Sequence, residues 1–203
     1  MRARLLPTPL PPAHERRHVV FLSRQDLAPR RSLRNQPSLL AALRRALAPR
    51  GGSSEGRSAH ALHVYQGGRV VQSFDDLDRH AVAGRVPAAP RSPPPRSSRA
   101  GDTFSMRLTE AAQLFSRAAL LTGPHGGAFL NLVYCAPATP VVEIGYTQAQ
   151  PMAYPSYYHT MARRLGLPFW VVLGSGSYDR PITAPVGEVA GLVAALVGQP
   201  RGA

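Results

Sequence analysis

From residue 104 onward the chain alternates short apolar runs with segments of helical spacing, and this alternation limits the fold more than any other feature. A helical pattern over 109–118 leads into an apolar run at 119–122. The turn Gly123-Pro124-His125-Gly126-Gly127 then opens a helix near 126–134, and a second apolar run follows at 140–144. A helix over 155–165, a run at 169–173 and a helix over 186–197 complete the series. Strands and helices alternating at this spacing predict an α/β fold with a Rossmann-like, doubly wound parallel sheet. Sheets of this kind bind ligands beyond the carboxyl ends of their strands.

The first half fits the same plan less regularly. Residues 18–23 form an apolar run suited to a buried parallel strand. Ser38 is placed to cap a helix over 39–48, in which Leu39, Leu40, Leu43 and Leu47 share one face. Residues 61–65 read as a second strand. Residues 1–17 read as an irregular tail. Residues 84–101, dominated by Pro, Arg and Ser, have no periodicity and cannot bury a core, so they read as a disordered insertion. Residues 66–83 are ambiguous between domain and insertion. The expected organisation is one domain built from 18–83 and 102–203, and 203 residues are enough to bury it well.

The formal charge of +13 raises the question of a nucleic-acid partner. Residues 1–100 hold 18 Arg against 6 acidic residues, whereas residues 101–203 hold 6 against 5. No Lys is present. A chain selected for contact with phosphate backbones normally uses both cations, because Lys serves there as a point charge. An all-Arg set points at least partly to compositional bias, and no nucleic-acid partner is expected. Cys135, the sole cysteine, excludes an internal disulfide and a Cys-based zinc cluster, and its apolar neighbours suit a small buried hydrophobe. No run approaches the ~20 apolar residues of a membrane span. The prolines within 1–17 interrupt any signal-peptide core.

Three constellations can carry chemistry. The first is Gly123–Asn131. An apolar run ends, two glycines follow His125 and a helix begins, which presents backbone N–H groups at a positive helix end. Gly126 and Gly127 let a ligand approach the backbone, and His125 adds a donor. Spacing alone leaves two readings open: a diphosphate seat, or a tight structural turn with a capping histidine. The turn is neither a Walker loop nor a GxGxxG fingerprint. The second is Arg24 after Ser23, with Arg31 and Asn35 beyond it, on the same expected carboxyl edge. Arginines pair with a pyrophosphate through two-pronged contacts. The third is Glu143, an acid at the end of an apolar run, where burial requires a hydrogen bond. It suits either a ribose or sugar hydroxyl or the orientation of a neighbouring loop.

In order along the chain, four segments resemble the C-terminal half of family-61 glycosyltransferases. Members include plant xylosyl- and arabinosyltransferases of xylan, and animal enzymes that add N-acetylglucosamine to EGF domains or to O-mannose. Ser23-Arg24 with Arg30-Arg31, Asn35 and Leu39-Leu40 is similar to the family's Ser-Arg…Arg-Arg…Asn-Glu-x-Glu-Leu stretch. The segment 108–118 resembles the helix before the glycine turn. Gly123-Pro-His-Gly-Gly-Ala-Phe-Leu-Asn131 resembles the Gly-Pro-His-Gly-Ala-Gly-Leu-Thr-Asn signature. Val141-Val-Glu-Ile144 and Tyr157-Tyr158…Met161-Ala162…Leu165-Gly166-Leu167 are similar to its ending. The resemblance covers about half the chain.

What it implies is the C-terminal half of a GT-B-type, inverting glycosyltransferase. It would bind a UDP-sugar donor through Arg24, Arg31, Asn35, His125, Gly126, Gly127, Asn131 and Glu143. It would transfer the sugar to a hydroxyl of a glycan or glycoprotein in the Golgi or ER lumen. No bound cofactor is implied. Asp76-Leu77-Asp78, which has the Asp-x-Asp pattern, lies in the ambiguous region, so a metal-independent site is expected. No general base is legible; in a two-domain transferase, as the resemblance implies, an N-terminal domain could supply it, and 203 residues leave little room for one. Departures from the signature are the exchange at Gly127-Ala128, Leu130 in place of Thr, and Gln36-Pro37 where Glu follows Asn. A noncatalytic Rossmann-like binding module and an Arg-rich RNA-binding protein are the alternatives.

Overall fold

The computed structural model describes residues 9–24, 31–48, 60–66, 69–73, 108–148 and 157–198. The first half holds β1 (His18–Leu22), α1 (Gln36–Leu47), β2 (Ala61–Gln66) and β3 (Arg69–Ser73). The second holds α2 (Leu108–Ser116), β4 (Ala118–Pro124), a 3-10 helix (Gly127–Tyr134), β5 (Val141–Gln148), α3 (Tyr157–Arg164), β6 (Phe169–Ser177) and α4 (Val186–Gly198). These strands form one sheet in the order β3-β2-β1-β4-β5-β6. Five of them run parallel, and β3 turns back antiparallel along β2.

The central strands are continuous apolar runs because both of their faces are covered. All seven residues of β4 are buried. Alternation then sorts side chains to two cores. Val19 and Phe21 meet Leu39, Leu43 and Leu47 of α1 and Val189 and Val193 of α4. Val20 and Leu22 meet Phe115 of α2, Phe129 and Leu132 of the 3-10 helix and Tyr158 of α3. Each fully buried Leu or Phe stabilises the fold by about 1.5–3 kcal/mol. The fold is α/β, with helices on both faces of a mostly parallel sheet.

From β1 the chain crosses to β2 on one side, while β4 lies on the other. The strand order therefore reverses between β1 and β4, and the crevice beyond their carboxyl ends is where such sheets take ligands.

The structure departs from or refines the sequence expectations in several places. The first helix starts at Gln36 rather than after Ser38, because Pro37 is pre-set for a first turn and Asn35 takes the N-cap position. The helix expected after the glycine turn is a 3-10 helix of eight residues, long for its type. The strand placed at 140–144 continues to Gln148, so Glu143 lies inside β5 rather than at its end. Residues 69–73, within the ambiguous part of the expected domain, are β3; Gly67-Gly68 between the two strand-like runs is a hairpin signal. Within the expected tail, residues 13–15 form a 3-10 turn and Arg16 is buried, donating to the Pro137 carbonyl (3.0 Å) and Thr139 Oγ1 (3.2 Å). The insertion at 84–101 and Asp76-Leu77-Asp78 lie outside the described residues. Among the described residues no helix is long and apolar enough to cross a membrane.

Candidate functional site

Ser23 ends β1 in a buried polar clasp. Its N–H donates to the Tyr65 carbonyl (2.7 Å), and its hydroxyl lies 3.1 Å from Gln36 Oε1 and from Gln66 Oε1. Bonding to α1 and β2 together fixes where Arg24 emerges. The Arg24 guanidinium lies directly over Gly126, so that a Cβ there would collide with it. Gly126 has extended backbone (φ 167°, ψ 172°) that any residue adopts, so glycine serves the close approach of the arginine rather than a special conformation. The arginine after β1 and the glycine turn after β4 thus meet in the crevice at the strand-order reversal. Gly127 is exposed, with open space where its side chain would be.

His125 is fully buried beneath this contact. Its N–H donates to the Ile144 carbonyl (3.0 Å), continuing the β4–β5 ladder. Its ring Nδ1 is 2.5 Å from Glu143 Oε1, and Nε2 is 3.2 Å from the Tyr157 hydroxyl. Glu143 pairs in register with Gly123 of β4, and alternation along β5 turns it to the face that carries His125. The Glu143 carboxylate is thereby bonded to the turn that bears His125. The rings of Tyr146, Tyr157 and Tyr158 stand 5.2–6.0 Å from the imidazole. Burial pushes the Tyr158 hydroxyl up to about 12, helped by neighbouring Tyr157 and Glu143. Burial also raises Tyr146, opposed by the positive charge of Arg31.

Arg31 reaches the same edge by another route. Residues 31–35 run beside 180–184: Ile182 N–H donates to the Ser32 carbonyl (2.8 Å) and Arg34 N–H to the Ile182 carbonyl (2.9 Å). Arg31 takes a left-handed backbone (φ 59°), a strain of about 1–3 kcal/mol that clusters at ligand sites. Its guanidinium stacks 4.3 Å over the Tyr178 ring, and Tyr178 in turn contacts Tyr146. Arg31 Nε is buried with no hydrogen-bond partner among the described residues.

Asn35 and Asn131 are held by the protein itself. Asn35 Nδ2 donates to the Ala184 carbonyl (2.8 Å) and its Oδ1 accepts from the Ala184 N–H (2.9 Å), tying α1 to the segment before α4. Asn131 donates to the Ala128 carbonyl (2.9 Å) and hydrogen-bonds the Tyr65 side chain. The structure therefore gathers Arg24, Arg31, His125, Gly126 and Glu143 at one edge and uses the two asparagines as ties. Tyr146, Tyr157 and Tyr178 join the site without having been singled out from sequence; the tyrosine recurrence at 157–158 is the signal they leave. Among the described residues no group of three or more His, Cys, Asp or Glu is placed to hold a metal ion.

No protein-family model matches the chain. A stretch of 81 residues is 37% identical to ATP synthase subunit alpha of Caldanaerobacter subterraneus subsp. tengcongensis, covering 39% of this chain. The chain spans 14% of the length of that relative.

Proposed function

We propose that this chain is the nucleotide-sugar-binding part of an inverting, GT-B-type glycosyltransferase of the family-61 kind. The carrying observation is the Arg24 guanidinium seated on Gly126 at the strand-order reversal. A diphosphate lying there would meet Arg24, the amide end of the 3-10 helix and, beside 180–184, Arg31, whose Nε has no hydrogen-bond partner among the described residues. In inverting transfer an acceptor hydroxyl attacks the anomeric carbon while the bond to the diphosphate breaks. Fixed positive groups at the leaving oxygens lower that barrier, because they are in place before the charge develops. The donor is UDP-linked and the acceptor a glycan or glycoprotein hydroxyl; the family places such enzymes in the Golgi or ER lumen. The chain has no Lys, the residue a Walker phosphate loop requires.

Titration calorimetry with UDP and UDP-sugars tests the reading. Wild type is expected to bind UDP at micromolar to millimolar concentration. Arg24→Ala and Arg31→Ala are each expected to weaken binding by about 10- to 150-fold, the value of a charge-assisted hydrogen bond of ~1.5–3 kcal/mol. Absence of UDP binding to wild type at millimolar concentration refutes it.

A further inference from the structure

Glu143, His125 and Tyr157 form a line from the sheet interior to the surface. Glu143 is 1% exposed and His125 0%, whereas Tyr157 is 53% exposed. A carboxylate only accepts hydrogen bonds, so its contact with Nδ1 places the ring proton there. Nε2 then carries a lone pair and accepts from the Tyr157 hydroxyl. Having donated its proton inward and accepted from the neighbouring Tyr158 hydroxyl, the Tyr157 oxygen keeps one lone pair for a donor arriving from outside. Beside it runs an open groove of about 620 Å³ lined by Tyr157, Thr160, Met161, Arg164 and Leu165, a stripe at helical spacing along α3 and its end.

We propose that Tyr157 is the acceptor-facing catalytic residue of a proton relay through His125 to Glu143, and that the acceptor alcohol lies in the α3 groove. This rests on the nucleotide-sugar reading above. As the acceptor oxygen bonds to the anomeric carbon, its O–H bond breaks and that proton passes to the Tyr157 oxygen. The Tyr157 proton passes to His125 Nε2. The bond between the anomeric carbon and the diphosphate oxygen breaks, its electron pair leaving with the diphosphate. His125 becomes a cation beside the Glu143 carboxylate, which holds its tautomer and offsets the new charge. His125 is a positioning and relaying residue, because its ring is fully buried and its Nε2 is bonded to the exposed Tyr157. The relay supplies within this chain the base that sequence reading did not find.

The test uses Tyr157→Phe, a change at a half-exposed ring, with its melting temperature as the check on folding. Three quantities are measured: UDP affinity, hydrolysis of UDP-xylose and UDP-N-acetylglucosamine with water as acceptor, and the ring nitrogens of His125 by 15N-histidine NMR. Wild type is expected to show a protonated Nδ1 and a bare Nε2. Tyr157→Phe is expected to shift the Nε2 resonance, keep UDP affinity and lose about 10²- to 10⁴-fold in hydrolysis. A proton found on Nε2, wild-type hydrolysis by Tyr157→Phe, or no hydrolysis by a wild type that binds UDP overturns the relay and leaves the nucleotide reading standing. A wild type that does not bind UDP overturns that reading and the relay with it.

Discussion

The same substitution made at two glycines three residues apart should have opposite consequences. At Gly123 a Cβ would stand 2.5 Å from the Leu22 carbonyl oxygen and 2.8 Å from Leu22 Cβ. Leu22 belongs to β1 and Gly123 to β4, neighbours in the middle of the sheet, so the obstacle is a hydrogen-bonded backbone with nowhere to go. Overpacking of this kind costs about 1–3 kcal/mol. The backbone at 123 also has φ +157°, which side chains rarely adopt, and that strain adds roughly 1–3 kcal/mol. Gly123→Ala should therefore lose about 2–6 kcal/mol, a large share of the ~5–15 kcal/mol that holds a domain together.

At Gly126 the obstacle is the far end of a flexible side chain: Arg24 Cζ at 2.9 Å and Cδ at 3.0 Å, with a guanidinium nitrogen closer still. The backbone there is extended, so alanine adds no strain. Arg24 can swing outward, and Gly126→Ala should lose less than about 1 kcal/mol of stability, because only the end of a flexible side chain has to move. The displaced guanidinium, however, no longer reaches a diphosphate, and UDP affinity should fall about 10- to 150-fold. Urea unfolding followed by circular dichroism gives the first quantity and calorimetry with UDP the second. If Gly126→Ala unfolds as easily as Gly123→Ala, or binds UDP as well as wild type, the reasoning about Arg24 is refuted.

Asn35→Ala removes both hydrogen bonds to Ala184 and should cost roughly 1–3 kcal/mol in urea unfolding while leaving UDP affinity within about threefold of wild type. A larger loss of affinity than of stability would make Asn35 a ligand contact. Thr122 Oγ1 is buried with no hydrogen-bond partner among the described residues, so Thr122→Val should raise stability by about 1 kcal/mol, measured the same way; a decrease would reveal a hydroxyl partner. Tyr158 holds its proton up to about 12 in the folded protein against 10.0 when unfolded. Between those values the unfolded chain releases a proton that the folded one keeps, so stability present below pH 10 should fall as pH rises toward 12. Tyr158→Phe should flatten that alkaline decline in unfolding titrations, and an unchanged slope would assign it to other groups.

What the sequence made legible about this site follows from how far each residue's position depends on its own strand. Arg24 and Gly126 each lie within a few residues after an apolar run, and parallel strands deliver the residues after them to one edge whatever the rest of the chain does. Glu143 needed one more step. Its role rests on strand parity across the β4–β5 register, and parity places it facing His125 once β5 is known to continue past residue 144. Asn35 lies beyond such rules. A short polar side chain just before a proline-started helix reads equally as cap or ligand, and only the approach of 180–184, distant by about 150 residues in sequence, gives it a third occupation. Tyr157 is harder again, because its hydroxyl reaches His125 only when α3 packs against the 3-10 helix and β6, and no periodicity within α3 encodes that docking. The half of the site read from sequence is the half that binds charge at strand ends. The half that would move a proton is assembled from a strand interior and a helix start, and exists only in the packed molecule.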